Sequence, residues 1–133
     1  LYAEGVRAAG EGRLDDAIAA FERSYALSPR DATLLNLAQV QEQDGRIVAA
    51  LDSYRRFLAR GDAELVARHG QRARDAIATL TPRVARLEVT VFGLAREDEV
   101  RLDGASLSHE SLGLDLPVDP GAHEITVVRD DRP

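Results

Sequence analysis

The chain carries an internal repeat at an offset of 33 residues, and this repeat constrains the fold more than any other feature. The stretch GRLDDAIAAF at 12–21 aligns with GRIVAALDSY at 45–54. The aligned positions match in size and chemistry: Gly12 with Gly45, Ala17 with Ala50, and Phe21 with Tyr54. A period in the low thirties is typical of a helical solenoid. We therefore expect paired helices, with glycine ending the first helix of each pair, alanine allowing close approach and aromatic rings filling the space between pairs.

The first part of the chain has apolar residues at three- and four-residue spacing, which indicates amphipathic helices. Glycine, proline and aspartate interrupt this spacing and mark the helix ends. The pattern predicts five helices, over residues 1–10, 14–27, 32–44, 47–59 and 64–80. Thr81-Pro82 ends the last helix, because proline lacks the amide hydrogen that a helix needs and disfavours helical geometry in the residue before it.

The second part changes to a period of two, with apolar and polar residues alternating as in a half-buried strand. Four strands are predicted, over 87–92, 100–104, 114–118 and 125–128. Composition changes at the same place, since residues 1–82 hold 17 alanines and residues 83–133 hold four. We therefore predict an α+β chain with two domains: an all-α helix-turn-helix solenoid over 1–82, and a small antiparallel β-sandwich-like domain over 83–133.

The repeated positions resemble the tetratricopeptide repeat, whose motif is a small residue, glycine, alanine, an aromatic residue, a small residue and proline. The matching residues are Gly5, Gly12, Ala17, Phe21, Ser24 and Pro29 in the first repeat, and Ala38, Gly45, Ala50 and Tyr54 in the second. Glu4, Phe57 and Asp62 depart from the motif. The resemblance covers residues 1 to about 60, with 63–80 as a closing helix, and it implies a concave groove that binds a protein or peptide.

The second part resembles a bacterial PEGA-type β-domain. The residues that carry this resemblance are Val100-Arg101-Leu102-Asp103-Gly104 and Pro120-Gly121-Ala122-His123, the latter leading into 125–128. The segment Leu94–Asp98 replaces the small apolar turn that is usual after the first strand. The chain also stops at Pro133, where the family adds further strand, so the resemblance implies a truncated domain.

The groove positions that the repeat resemblance implies are the candidate site. On the first helix they are Tyr2, Val6 and Ala9, and on the third they are Leu35, Asn36, Gln39, Glu42 and Gln43. Asparagine and glutamine can hydrogen-bond a peptide backbone without adding charge. We predict partner binding by Tyr2, Leu35, Asn36, Gln39 and Gln43, and the alternative is an ordinary hydrated face. The family's carboxylate clamp is not expected, because the chain has no lysine and these positions carry no arginine.

Other chemistry finds little support in the sequence. Ser106–Ser111 holds serine, histidine and glutamate within six residues, but catalytic triads are assembled from separated elements, so a solvated loop is the better interpretation. His69, His109 and His123 lack metal-ligand spacing, and His123 is expected to pack or cap beside a turn. The run Glu97-Asp98-Glu99 lacks the spacing of a calcium loop and predicts a solvated turn. Cysteine is absent, and the net charge of −6 argues against nucleic acid as a partner.

These observations favour a non-catalytic protein–protein interaction or scaffold module of a bacterial protein, with no cofactor and no metal. The alternative is a regulatory or structural tail of a larger signalling protein, such as a kinase, or of an envelope protein, acting through self-association.

All 17 basic residues are arginine, which together with the abundant alanine suggests a GC-rich bacterial genome. No segment is apolar enough to cross a membrane. Leu1 in place of methionine indicates a fragment, and we favour the periplasm or cell envelope over the cytoplasm as its location.

Overall fold

The computed structural model describes residues 1–129 of the 133-residue chain, and these form helices followed by antiparallel strands. The helices are α1 Tyr2–Gly10, α2 Leu14–Leu27, α3 Asp31–Gln43, α4 Ile47–Arg60 and α5 Ala63–Leu80. The strands are β1 Ala85–Glu88, β2 Glu99–Leu102, β3 Ala105–Leu107, β4 Asp115–Val118 and β5 Ile125–Val128. This confirms the α+β fold class, and every helix boundary lies within one residue of its predicted position.

The chain divides into two compact units, a helical unit over Leu1–Val84 and a β unit that begins at Ala85. A short 3-10 helix, Thr81–Arg83, follows α5 directly and closes the helical unit. Pro82 lies within this turn, where the loss of one amide hydrogen is tolerated.

The two helix-to-helix turns of the repeat have the same backbone geometry. Gly12 and Gly45 adopt positive φ values of 76° and 78°, a region that glycine enters without steric cost. In both turns the next residue's amide donates to a carbonyl five residues earlier. The two bonds, each 2.9 Å, run from Arg13 N to Ala8 O and from Arg46 N to Gln41 O. The sequence repeat is therefore also a repeat of local structure.

Two hydrophobic clusters fill the helical unit, and α3 contributes to both. The first cluster joins α1, α2 and one side of α3 through Ala8, Ala17, Ile18, Phe21, Leu37 and Val40. The second joins the other side of α3 to α4 and α5 through Leu34, Leu35, Ala38, Ile47, Ala50, Leu51, Tyr54, Phe57, Ala73 and Leu80. Because α3 is packed on two sides, its orientation is fixed by both neighbouring helix pairs.

The repeated aromatic residues are buried, as the alignment predicts. Phe21 is 2% exposed and Tyr54 is 1% exposed. Phe21 packs against the backbone of Gly5, so closely that a methyl group at that position would overlap the ring. The equivalent residues of the second repeat, Ala38 and Tyr54, both belong to the second cluster.

The β unit contains two small antiparallel sheets. One pairs β1 with β4, and the other has the strand order β3-β2-β5. Pro117 lies in β4, which has β1 as its only neighbour among the described strands, and such an edge position suits a residue that has no amide hydrogen to donate.

One predicted strand has the wrong limits, and one strand of the structure was not predicted. The first strand was expected over 87–92 but covers Ala85–Glu88, and Phe92 is 90% exposed. Beyond Glu88 the chain leaves the ladder, although the carbonyl of Val89 still accepts from the amide of Gly113 at 2.9 Å. The sequence interpretation also missed β3, which pairs with β2.

Candidate functional site

Five of the eight predicted groove positions on α1 and α3 lie together around one shallow depression of about 150 Å³, and Tyr2, Leu35 and Glu42 are not among its lining residues. Its lining residues are Val6, Ala9, Phe21, Asn36, Gln39, Val40 and Gln43. The floor is apolar, while the three amide side chains come from one stripe of α3, since they are spaced by three and four residues. Helices α1 and α3, which α2 separates in the sequence, thus line the same depression.

One end of the depression is organised by a hydrogen bond between its two helices. Asn36 Nδ2 donates to the hydroxyl oxygen of Tyr2 at 2.6 Å. The Tyr2 ring packs on Phe21, with 5.7 Å between ring centroids and 54° between ring planes. Tyr2 is nevertheless 42% exposed, so its ring and hydroxyl remain accessible from solvent.

The other two amides are available for a ligand. Gln39 is partly buried and Gln43 is exposed. Within residues 1–129 neither side-chain amide has a hydrogen-bond partner. Each amide carries two donor hydrogens and an acceptor oxygen, which matches the alternating groups of a peptide backbone.

Leu35 does not belong to this surface, and its inclusion among the partner-binding residues needs correction. It is 7% exposed and packs in the second cluster with α4 and α5. Leu35 and Asn36 are adjacent in sequence, so their side chains point about 100° apart around the helix. Leu35 therefore faces the second cluster while Asn36 faces the depression.

Polar contacts between α3 and α4 hold the groove helix in register. Ser53 Oγ donates to Gln41 Oε1 at 2.7 Å in the interior, and the Tyr54 hydroxyl donates to Glu42 Oε2 at 2.7 Å. Burial, followed by the bond to Glu42, raises the pKa of Tyr54 well above its ordinary value, while the nearby Arg72 opposes the shift. The hydroxyl therefore remains a donor to Glu42, and Glu42, although it is one of the predicted groove positions, contacts α4.

A second, larger cleft of about 510 Å³ lies where α1 begins, α2 ends and α3 begins. Tyr2 borders it together with Leu1, Leu27 and Arg30. Leu27 is 77% exposed. Sequence reasoning missed this cleft, and the available signal was an apolar residue at the end of α2, directly before the Ser28-Pro29 break.

The side chains of Ser106–Ser111 do not form a nucleophile–base pair. Ser108 Oγ lies 2.7 Å from Ser111 Oγ, while His109 Nε2 bonds the carbonyl oxygen of Asp98 at 2.7 Å. Ser106 belongs to β3, so only part of this stretch is the loop that was expected.

The solvated turn predicted for Glu97–Glu99 is wrong at Asp98, because this residue is buried. The residue is 6% exposed. Its Oδ2 accepts from the amide of Ala95 at 2.9 Å and lies 3.5 Å from Arg129 Nε. The carboxylate therefore anchors the loop before β2. In the part of the chain that the structure covers, no three histidine, aspartate or glutamate side chains are grouped so as to hold a metal ion.

Comparison with known proteins finds no matching family model, no matching curated protein and no matching solved structure. Among residues 1–129 no helix is both long enough and apolar enough to span a membrane.

Proposed function

We propose that this protein is a non-catalytic interaction module of the tetratricopeptide type, and that the groove between α1 and α3 binds an extended segment of a protein partner. The observation that carries the proposal is the convergence of Val6, Ala9, Asn36, Gln39 and Gln43 around one depression. The tetratricopeptide resemblance implies these positions, and they come from two separate helices. Their apolar floor and neutral amide rim suit a peptide backbone with a small apolar side chain.

The chemistry of the rim predicts how binding responds to salt. Asn36, Gln39 and Gln43 are uncharged, so the contacts are hydrogen bonds and apolar packing. Salt screens interactions between charges and leaves such contacts nearly unchanged. The affinity should therefore fall only slightly when the ionic strength rises from about 0.05 to 0.5 M.

The test uses fluorescent peptides selected from a random library by binding to the whole chain, with affinity measured by fluorescence polarisation. The combined change Asn36→Ala, Gln39→Ala and Gln43→Ala should preserve helicity, because alanine is the better helix former. A net hydrogen bond contributes about 0.5–1.5 kcal/mol. Losing three predicts a weakening of about tenfold or more.

Matched controls separate the groove from the rest of the surface. Gln71→Ala with Thr79→Ala changes two neutral, exposed residues of α5 and should leave the affinity unchanged. Normal binding by the groove variant would refute the proposal. Loss of binding on changing the exposed Glu97 and Glu110 to glutamine would instead assign the contact to the acidic β unit.

Self-association is the second candidate, and the state of β5 favours it. Ile125, Val127 and Val128 are 43%, 39% and 39% exposed. Among the described strands β5 pairs only with β2, so its outer edge is open to a strand from another copy. Sedimentation equilibrium should then show dimers that Val127→Lys abolishes. The control Leu114→Lys, at another exposed apolar residue, should leave them intact. A monomer at all concentrations would refute this candidate.

A further inference from the structure

His123 lies between β4 and β5 and joins two turns of the β unit. Its side chain is 17% exposed. Nδ1 lies 2.6 Å from Asp103 Oδ2, in the turn between β2 and β3. Nε2 lies 2.6 Å from the carbonyl oxygen of Asp119, in the loop after β4. The sequence predicts that this histidine packs or caps beside a turn, and in the structure each of its ring nitrogens makes one contact.

Both partners of His123 are hydrogen-bond acceptors. A carboxylate and a backbone carbonyl have no hydrogen to donate, so each ring nitrogen must supply one. A neutral imidazole carries a single N–H and satisfies only one of the two contacts. The observed geometry therefore requires the imidazolium form. We propose that His123 is a pH-sensitive clasp, which as imidazolium ties the β4–β5 loop to the Asp103 turn and on losing a proton releases one of these contacts.

Asp103 is held in place without the histidine. Its amide donates to the carbonyl of Glu124 at 2.8 Å, and its Oδ1 accepts from the amide of Glu124 at 2.8 Å. Asp103 also has a positive φ of 52°, which the turn with Gly104 accommodates. Deprotonation of His123 would therefore loosen the loop from Asp119 to His123, while the β2–β5 ladder remains paired.

The charged groups that face the ring are acidic on both sides. Asp103 approaches from the turn after β2, and Asp119 approaches from the loop after β4. Glu124, the next residue along the chain, directs Oε1 towards the hydroxyl of Thr126 at 3.4 Å. The bond to Asp103 and then the bond to Asp119 raise the pKa of His123, against a smaller opposing effect of burial.

The sign of the pH dependence follows from that direction. The pKa of His123 is higher in the folded protein than in the unfolded chain, where it is about 6.5. The clasp therefore contributes its full stabilisation of the folded state below a pH of about 6.5, and this contribution is lost as the pH rises through the folded-state pKa. At the acidic end, His123 lowers the pKa of Asp103, so that carboxylate remains charged as the pH falls below its ordinary range. The loop should therefore be held at a pH below the ordinary histidine value and released as the pH rises through the raised pKa of His123.

NMR titration of the whole chain tests the clasp, because the sequence has three histidines. Single glutamine substitutions assign the ring signals of His69, His109 and His123. The His123 ring should titrate with a midpoint above the ordinary histidine value of about 6.5. The amide signals of Asp119, Gly121, Ala122 and His123 should follow the same midpoint, and their hydrogen-exchange protection factors, which are corrected for the intrinsic pH dependence of exchange, should fall at least several-fold above it.

Asp103→Asn provides the matched variant. Asparagine keeps an acceptor oxygen and tolerates the positive φ, but it removes the negative charge. The midpoint of His123 should fall towards the ordinary value of about 6.5 in this variant. A wild-type His123 midpoint at or below about 6.5, or loop amides that do not respond to its titration, would overturn the proposal.

Discussion

The contact between Gly5 and Phe21 offers a sharp test of how α1 packs on α2. A Cβ atom built at Gly5 would lie 2.6, 2.7 and 2.9 Å from Cε1, Cδ1 and Cζ of the Phe21 ring. The ring cannot move away freely, because Phe21 is 2% exposed within the first cluster. Forcing an extra methyl group into a packed core costs about 1–3 kcal/mol. Gly5→Ala should therefore be destabilising despite the better helix propensity of alanine.

Gly10 supplies the control, because it lies on the same helix with no atom within 4 Å of its added Cβ. Replacing glycine by alanine within a helix contributes up to about 1 kcal/mol of stability. This gain is common to both substitutions, although it is smaller at the helix end where Gly10 stands. Gly5→Ala should lower the free energy of unfolding by about 0–2 kcal/mol, and Gly10→Ala should raise it slightly. The two variants are thus separated by about 1–3 kcal/mol, most of which is the steric cost.

Urea unfolding followed by circular dichroism at 222 nm measures both variants, and hydrogen exchange of α1 amides reports any local opening. Phe21→Leu makes room for the added methyl group. The double variant Gly5→Ala with Phe21→Leu should therefore be more stable than the sum of the two single changes predicts. Equal stability of Gly5→Ala and Gly10→Ala, with additive effects in the double variant, would refute the packing of α1 on Phe21.

Three further outcomes follow from the helical unit. Phe21→Ala and Tyr54→Ala should each cost about 3–5 kcal/mol in denaturant unfolding, and a loss below about 1 kcal/mol would contradict the repeat alignment. A fragment of residues 1–61 should have little helical ellipticity, because it lacks the α5 residues that cover the second cluster, whereas residues 1–84 should melt cooperatively. Ser53→Ala leaves a buried glutamine oxygen without its donor and should cost about 1–3 kcal/mol by the same assay, whereas an unchanged midpoint would mean that the oxygen finds another partner.

The helices could be predicted closely because their limits are encoded locally. Gly12 and Gly45 end helices through a backbone conformation that few other residues adopt, and the apolar spacing on either side needs no knowledge of distant partners. The groove positions Asn36, Gln39 and Gln43 were instead implied by the tetratricopeptide resemblance, and helical spacing adds that they share one stripe of α3. Local signals therefore placed the helices, whereas the candidate site rested on the resemblance.

The strands and the buried polar residues depended on partners far away in the sequence. Alternation continues to Phe92, but pairing stops at Glu88, opposite Asp115 at the start of β4. Strand β3 is too short to show a period, and it exists because the turn at Asp103-Gly104 returns the chain beside β2. Asp98 looked solvated because it lies in an acidic run, whereas the loop folds back to give it an amide donor. Each of these errors concerns a non-local contact that local pattern cannot report.

Comparison of equivalent positions in the two repeats shows that the outer face of α1 is charged where the same face of α3 is apolar. On α3, Leu37 and Val40 are buried against the first helix pair. The residues 33 positions earlier are Glu4 and Arg7, and both are exposed. Burying these two charged groups without partners would carry a high desolvation cost. Glu4, which departs from the repeat motif, thus keeps this face of α1 in contact with water, whereas the apolar side chains at the same positions of α3 pack it against α1 and α2.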